Sequence, residues 1–293
     1  MHFLRLIFRL VLLIAFCSLV GKAWHIAKDG FSINRTVYPL RNGFAPPEDE
    51  RVEMALAQPY TYLGRGHQCY AFGSQDGQYV IKLPRYDRYK LSFFLRSIPF
   101  LDAYREKVRA DLKHRLQFTL ESFRIAFEDL REDTAVIYSH FRRTEQWKTP
   151  LPIKDRIGRT YHLDLDQTAF ILQEKKAIMM ATFQECLKLG NRKKAEDILD
   201  SLLTLIDTRS RKGIYNKDPS FVRNFGWEAG KGCQIDIGSF YRKPGQSLEE
   251  AREKSFQETV QHVHNWLAGI DPEMLKLFDQ KTQALRDSRS APL

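Results

Sequence analysis

The sequence predicts an α+β body behind an apolar N-terminal helix, and three observations carry that expectation. Leu10 to Gly21 holds no charge, residues 60–83 form a β-rich run punctuated by glycines, and Ala195, Ile198, Leu199, Leu202, Leu203 and Ile206 recur at helical steps. With 293 residues, 43% of them hydrophobic and 28% charged, the chain can bury a large core or two lobes, which excludes disorder, low-complexity and multi-span membrane classes. Four scattered cysteines, Cys17, Cys69, Cys186 and Cys233, exclude a disulfide scaffold or a CxxC zinc site.

The formal charge is +10, and removing Arg5, Arg9 and Lys22 leaves +7 for the rest. Such a balance suits anionic partners, although no Lys/Arg run reaches the length of a nucleic-acid arm, so no nucleic acid is expected. Residues 1–24 read as a membrane-targeting segment. Arg5 and Arg9 can snorkel, so Phe3 to Trp24 is long enough to cross a bilayer as a single-pass anchor. A cleaved signal peptide is the second reading, with Gly21 and Ala23 as a small-x-small pair; an amphipathic helix packed on the body is the third. Arg5 and Arg9 compete with Lys22 and Lys28 for the inside position, which leaves the side of the membrane open. Residues 25–59, with Pro39, Pro46 and Pro47, read as a linker.

From Tyr60 the chain reads as two strands flanking a turn at Asp76-Gly77, with Gly64-x-Gly66 in the first hairpin and Lys82 ending a Val-Ile-Lys strand. Glycines without side chains let backbone N–H groups approach phosphate oxygens. Residues 100–130 are helical by the steps of Leu112, Leu116, Leu120, Phe123 and Phe127, and carry Glu121, with Glu106 as its competitor. Residues 134–141 form a β-rich run, and Asp166 to Lys175 a later strand. Further on stand Asn216-Lys217-Asp218, Asn224 and Ile235-Asp236-Ile237-Gly238, with a tight turn around Gly230 between the last two. An acceptor near a hydroxyl and hard oxygen ligands for a divalent cation are what phosphoryl transfer requires.

That order resembles a divergent protein-kinase-like fold, of the atypical or bacterial kinase-like or pseudokinase kind, over residues 60–240. The resemblance implies two lobes: a small antiparallel-sheet lobe with one helix over 60–175, and a larger, mostly helical lobe over 176–293. It implies ATP and Mg²⁺ as cofactors. Gly64, Gly66 and Lys82 would hold phosphates, Glu121 would fix Lys82, and Gln173 to Lys175 would offer hinge hydrogen bonds near the adenine. Asp218 would be the catalytic base, and Asn224 and Asp236 would hold metal.

The sequence departs from the family in four places. Asp218 precedes Asn224 by six residues rather than five, the His-Arg-Asp triplet is Asn216-Lys217-Asp218, the third loop glycine is Cys69, and no Ala-Pro-Glu motif follows Phe240. Were Asn216 to take the position of the catalytic Asp, Asp218 would be a turn residue before Pro219 and the domain inactive. Three readings therefore stand: a membrane-associated kinase with a hydroxyl-bearing acceptor, a membrane-tethered pseudokinase binding a protein partner, and a membrane-anchored α+β protein without nucleotide.

Overall fold

The computed structural model describes residues 2–43, 49–98, 100–147, 149–218 and 220–290. Pro46 and Pro47 of the expected linker, and Pro219, lie outside them. The chain divides into two compact units: Met1–Lys90 with His140–Leu172, and Leu91–Ser139 with Gln173–Leu293.

The first unit begins with α1 (His2–Ala27). Arg5–Ala27 has a mean hydropathy of 2.1 and 23 residues, long and apolar enough to cross a membrane, and none of it is buried in the protein. A signal sequence has the same properties, whereas the third reading, a helix packed on the body, lacks its packing. The helix ends in a Schellman motif: Gly30 N–H donates to the His25 carbonyl and Asp29 N–H to the Ile26 carbonyl. Asp29 and Gly30 have φ of 48° and 70°, and a Cβ at Gly30 would come within 2.5 Å of the Arg65 guanidinium. Any other residue there would be strained by its positive φ and would displace the Arg65 side chain.

Within the stretch read as a linker, the first residues are built into this unit. Phe31 is buried with its ring 5.1 to 6.1 Å from those of Tyr62, Tyr70, Phe72 and Tyr161. Lys28, also buried, donates to the Tyr161 hydroxyl at 2.6 Å and pairs with the fully buried Asp155 carboxylate at 3.3 Å. The short helix α2 (Glu50–Leu56), capped by Asp49, buries Val52, Ala55 and Leu56.

The strands are β1 (Tyr60–Arg65), β2 (Cys69–Ser74), β3 (Tyr79–Pro84), β5 (Leu151–Lys154) and β6 (Thr160–Leu163). The division between units falls within β4 (Val136–His140) and β7 (Phe170–Glu174). Along the sheet this unit has the order β7-β3-β2-β1-β5-β6. The hairpins β1–β2, β2–β3 and β5–β6 are antiparallel, as their tight turns require, with Gly77 at φ 75° in the second. The expected antiparallel sheet is nonetheless mixed, because β1 and β5 pair in parallel. Eighty-five residues of chain separate the two strands, ample for the crossover that a parallel pair needs and a hairpin cannot give.

The second unit is mainly helical: α3 (Phe93–Ser97), α4 (Asp102–Glu128), α5 (Arg131–Thr134), α6 (Met179–Lys188), α7 (Arg192–Arg211), the short α8 (Phe221–Asn224), α9 (Leu248–Ala268) and α10 (Pro272–Ser290). Asn191 caps α7 and Ser247 caps α9, each accepting a backbone N–H from three residues on. The apolar stripe of α7 is buried against Met179, Met180 and Phe183 of α6, Phe256, Val260 and Val263 of α9, and Phe278 of α10. The small strands are β8 (Ala177–Ile178), β9 (Tyr215–Asn216), β10 (Phe225–Glu228), β11 (Lys231–Gln234) and β12 (Phe240–Tyr241). Strand β10 pairs with β11 and β8, and β12 with β9. Ala229 and Gly230, at φ 48° and 83°, make the tight turn of the β10–β11 hairpin.

Candidate functional site

In the helical unit, the polypeptide draws Asp218, Asn224 and Asp236 into one hydrogen-bonded group. The Asn224 side-chain amide donates to the Asp218 carbonyl at 3.0 Å. Its own carbonyl accepts the backbone N–H groups of Ile235, at 2.8 Å, and Asp236, at 3.4 Å. The hairpin β10–β11 brings this about, since its register pairs Phe225 with Gln234 and so returns Asp236 to the side of Asn224. Asn224 is buried, and its committed Nδ2 fixes the amide plane so that Oδ1 faces away from the Asp218 carbonyl. Asp236 is half-buried, with Oδ1 accepting Gly238 N–H at 3.2 Å.

Asp218 itself is exposed. Its N–H donates to Asn216 Oδ1 at 3.0 Å and its carboxylate accepts Ser220 N–H at 3.3 Å, two consecutive Asx-type turns. Asn216 sits on β9, held by its pairing with Phe240 of β12, and its Nδ2 is buried without a hydrogen-bond partner. Beside this loop lies a polar cavity of about 400 Å³, lined by Asn216, Lys217 and Tyr241 and by Glu258, Gln261 and His262 of α9.

Two residues that the sequence did not single out hold this region. Ser122 of α4, fully buried, donates to the Ile237 carbonyl and accepts Phe240 N–H, each at 2.6 Å, so it clamps the segment that follows Asp236. Arg209 of α7, also buried, donates to Gln234 Oε1 at 2.9 Å and to the Thr259 hydroxyl. Neither partner carries a charge, and burial pushes the Arg209 pKa down to about 10. A Ser122→Ala chain is expected to lose about 2 kcal/mol of stability in urea unfolding, since one buried N–H and one buried carbonyl lose their partner together.

Glu121, next to Ser122, has Arg124 as its hydrogen-bond partner at 2.6 and 2.9 Å and is half exposed. The Arg124 guanidinium holds the Glu121 carboxyl below the usual range. Gln173 is buried, its amide donating to the Thr134 carbonyl at 2.7 Å, while Glu174 N–H donates to the Ala135 carbonyl and Lys175 is exposed. Among the described residues, no three His, Cys, Asp or Glu side chains are grouped to hold a metal ion by themselves.

In the strand-rich unit, Gly64 and Gly66 lie on and just after β1, and Lys82, half-buried on β3, is in register with Ala71. Neither glycine has a positive φ. A Cβ at Gly64 would meet nothing within 4 Å, and one at Gly66 would make an ordinary contact with the Cys69 carbonyl. The protein's own packing thus leaves the space over these residues open. Arg85, absent from the sequence reading, is buried and donates to the Gly66 carbonyl at 3.0 Å, bracing the turn after the second glycine.

Neither protein-family models nor curated proteins give a match to this chain. Among solved structures it is similar to a crystal structure of WbdD, at 16% identity and TM-score 0.35, over 77% of this chain and 46% of that one. A second structure, of the bifunctional kinase-methyltransferase WbdD, gives 16% identity and TM-score 0.32 over 74% and 43%. The chain thus spans less than half the length of these two structures.

Proposed function

We propose that this chain is a membrane-anchored protein of kinase-like fold that binds ATP with Mg²⁺ and transfers a phosphoryl group to a hydroxyl acceptor. The observation that carries the reading is the hydrogen-bonded group Asp218–Asn224–Asp236, three residues of the types and order that phosphoryl transfer uses. Mg²⁺ keeps several waters and takes one or two protein oxygens with the rest from phosphates, so a site of Asn224 Oδ1 and Asp236 Oδ2 has the right modesty of ligands. When bound, the ion would neutralise charge on the phosphates.

Lys82 supplies a cation for phosphate oxygens, and Gly64 and Gly66 supply backbone that a ligand can approach closely. Glu121 is the proposed partner of Lys82, and would leave Arg124 to take that role. Gln173 anchors the start of the proposed adenine-binding segment through Thr134, and Lys175 belongs to its exposed end. Asp218 is the proposed base, and the polar cavity beside it is where a hydroxyl-bearing acceptor would enter. Helix α1 anchors the protein in a membrane.

A second reading, the inactive pseudokinase serving as a tethered binding module, draws on the exposure of Asp218 and its use as a turn cap, with Asn216 in the more enclosed position. Asp218→Asn separates the two. In the kinase reading it leaves Mg-ATP affinity within a few-fold and lowers phosphoryl transfer by roughly 10², the order of a lost general base. A wild-type chain that binds Mg-ATP and shows no transfer to any tested acceptor, ATP hydrolysis included, belongs to the second reading.

A further inference from the structure

Helix α1 does not lead into free chain: it ends on the strand-rich unit, and the residue that joins them points to one particular turn. Lys28, the residue after α1, has its ammonium 3.3 Å from Asp155 Oδ2 and 5.7 Å from the centre of the Trp24 ring. Trp24 lies in the last turns of the apolar helix, where aromatic side chains mark the boundary of a bilayer. Asp155 opens the turn between β5 and β6. The turn Asp155–Arg159 therefore sits beside the level at which α1 leaves the apolar phase.

The turn is held by its own hydrogen bonds, and the Arg159 guanidinium lies over the Tyr161 ring, 5.3 Å from its centre. The Asp155 carboxylate accepts the N–H groups of Ile157 and Arg159, at 3.1 and 2.9 Å, and backbone bonds join Asp155 to Gly158 and Arg159. Gly158, at φ 85°, lets the chain reverse. Arg156, Ile157 and Arg159 are exposed, Ile157 by 43% at the tip of a hairpin. Lys154 is exposed as well, and the one acid in the segment 151–163, Asp155, is neutralised by Lys28. An apolar tip flanked by three cations, placed at the end of a membrane-length helix, matches the chemistry of an anionic lipid surface.

We propose that the β5–β6 turn is a second membrane contact, with Ile157 seated at the interface of an anionic leaflet and Arg156 and Arg159 on lipid phosphates. The proposal rests on the reading of α1 as a membrane anchor. It would hold the strand-rich unit, and with it the β1–β2 hairpin bearing Gly64 and Gly66, at a fixed height on the bilayer, because Asp29 pairs with Arg65 of β1 at 3.3 Å and accepts from the Tyr62 hydroxyl at 2.8 Å.

The test is fluorescence quenching with the full chain, Cys17 and Cys69 replaced by Ser, reconstituted in phosphatidylcholine bilayers with or without phosphatidylglycerol. A fluorophore is attached in turn through Val11→Cys, Ile157→Cys or Gln78→Cys, the last in the β2–β3 turn. The expected result is quenching at 11 by acyl-chain nitroxides, quenching at 157 by headgroup nitroxides that is several-fold stronger with phosphatidylglycerol, and none at 78. Adding Arg156→Gln and Arg159→Gln to the labelled Ile157→Cys chain should remove the dependence on phosphatidylglycerol. Quenching at 11 with position 157 as dark to the quencher as 78 overturns the second contact and leaves the anchor standing. An unquenched label at 11 overturns the anchor and the contact together.

Discussion

Replacing Asp236 with Asn should weaken Mg²⁺-dependent nucleotide binding by about 10² while leaving the fold intact. Asn keeps the volume and an Oδ1 that can accept from Gly238 N–H, the bond that shapes the turn after β11. What it removes is the single formal negative charge of the proposed ligand pair, since Asn224 is neutral and Asp218 is assigned to the acceptor side rather than to the metal. Losing even the neighbours of metal ligands costs 10- to 100-fold in metal affinity in other proteins, and loss of a charged ligand should cost no less than about 10². Calorimetric titration of the variant with Mg-ATP, next to a thermal melt without ligand, separates the two effects. An unchanged affinity would remove Asp236 from the metal site.

The second large effect concerns Lys28. A Lys28→Met chain should lose about 3–5 kcal/mol of stability in its strand-rich unit, the order seen when one partner of a buried ion pair is removed. Asp155 has a fully buried side chain, and without the ammonium its charge retains, among the described residues, the Ile157 and Arg159 N–H groups and the Tyr161 hydroxyl. Methionine fills the space of the lysine stem, so the loss reflects charge rather than a cavity. Urea unfolding of the full chain in detergent micelles measures it, and the double variant Lys28→Met, Asp155→Asn should recover more than half. If the single variant unfolds like wild type, Lys28 is no structural part of the unit.

Much of the local architecture was legible because it is written in local chemistry. Asp76-Gly77 and Gly230 gave their turns, and the spacing of Ala195 to Ile206 the buried face of α7. The contiguity of Asn224 and Asp236 was also legible, because a hairpin of known length returns the chain to its starting level. What escaped was set by contacts distant in sequence. The parallel pairing of Tyr60 with Ile153, the insertion of Phe31 among four rings, and the clamp from Ser122 to Ile237 join residues that no period or motif links. Arg209 escaped for another reason: on a helical pattern it reads as one more surface cation of the last turn, and only tertiary packing buries it. The pairing of Glu121 with Arg124, by contrast, was within reach of sequence reasoning, since residues three apart on a helix face each other.

Melting the full chain in detergent micelles with ATP, with Mg²⁺, and with both shows whether the group Asp218–Asn224–Asp236 binds a nucleotide through a divalent cation. A ligand bound only by the folded state raises its stability by mass action, about 2.7 kcal/mol at a hundredfold excess over Kd, so Mg²⁺ and ATP together should raise Tm by several degrees and neither alone should approach that shift. Superimposable melting curves at millimolar Mg-ATP would rule this binding out.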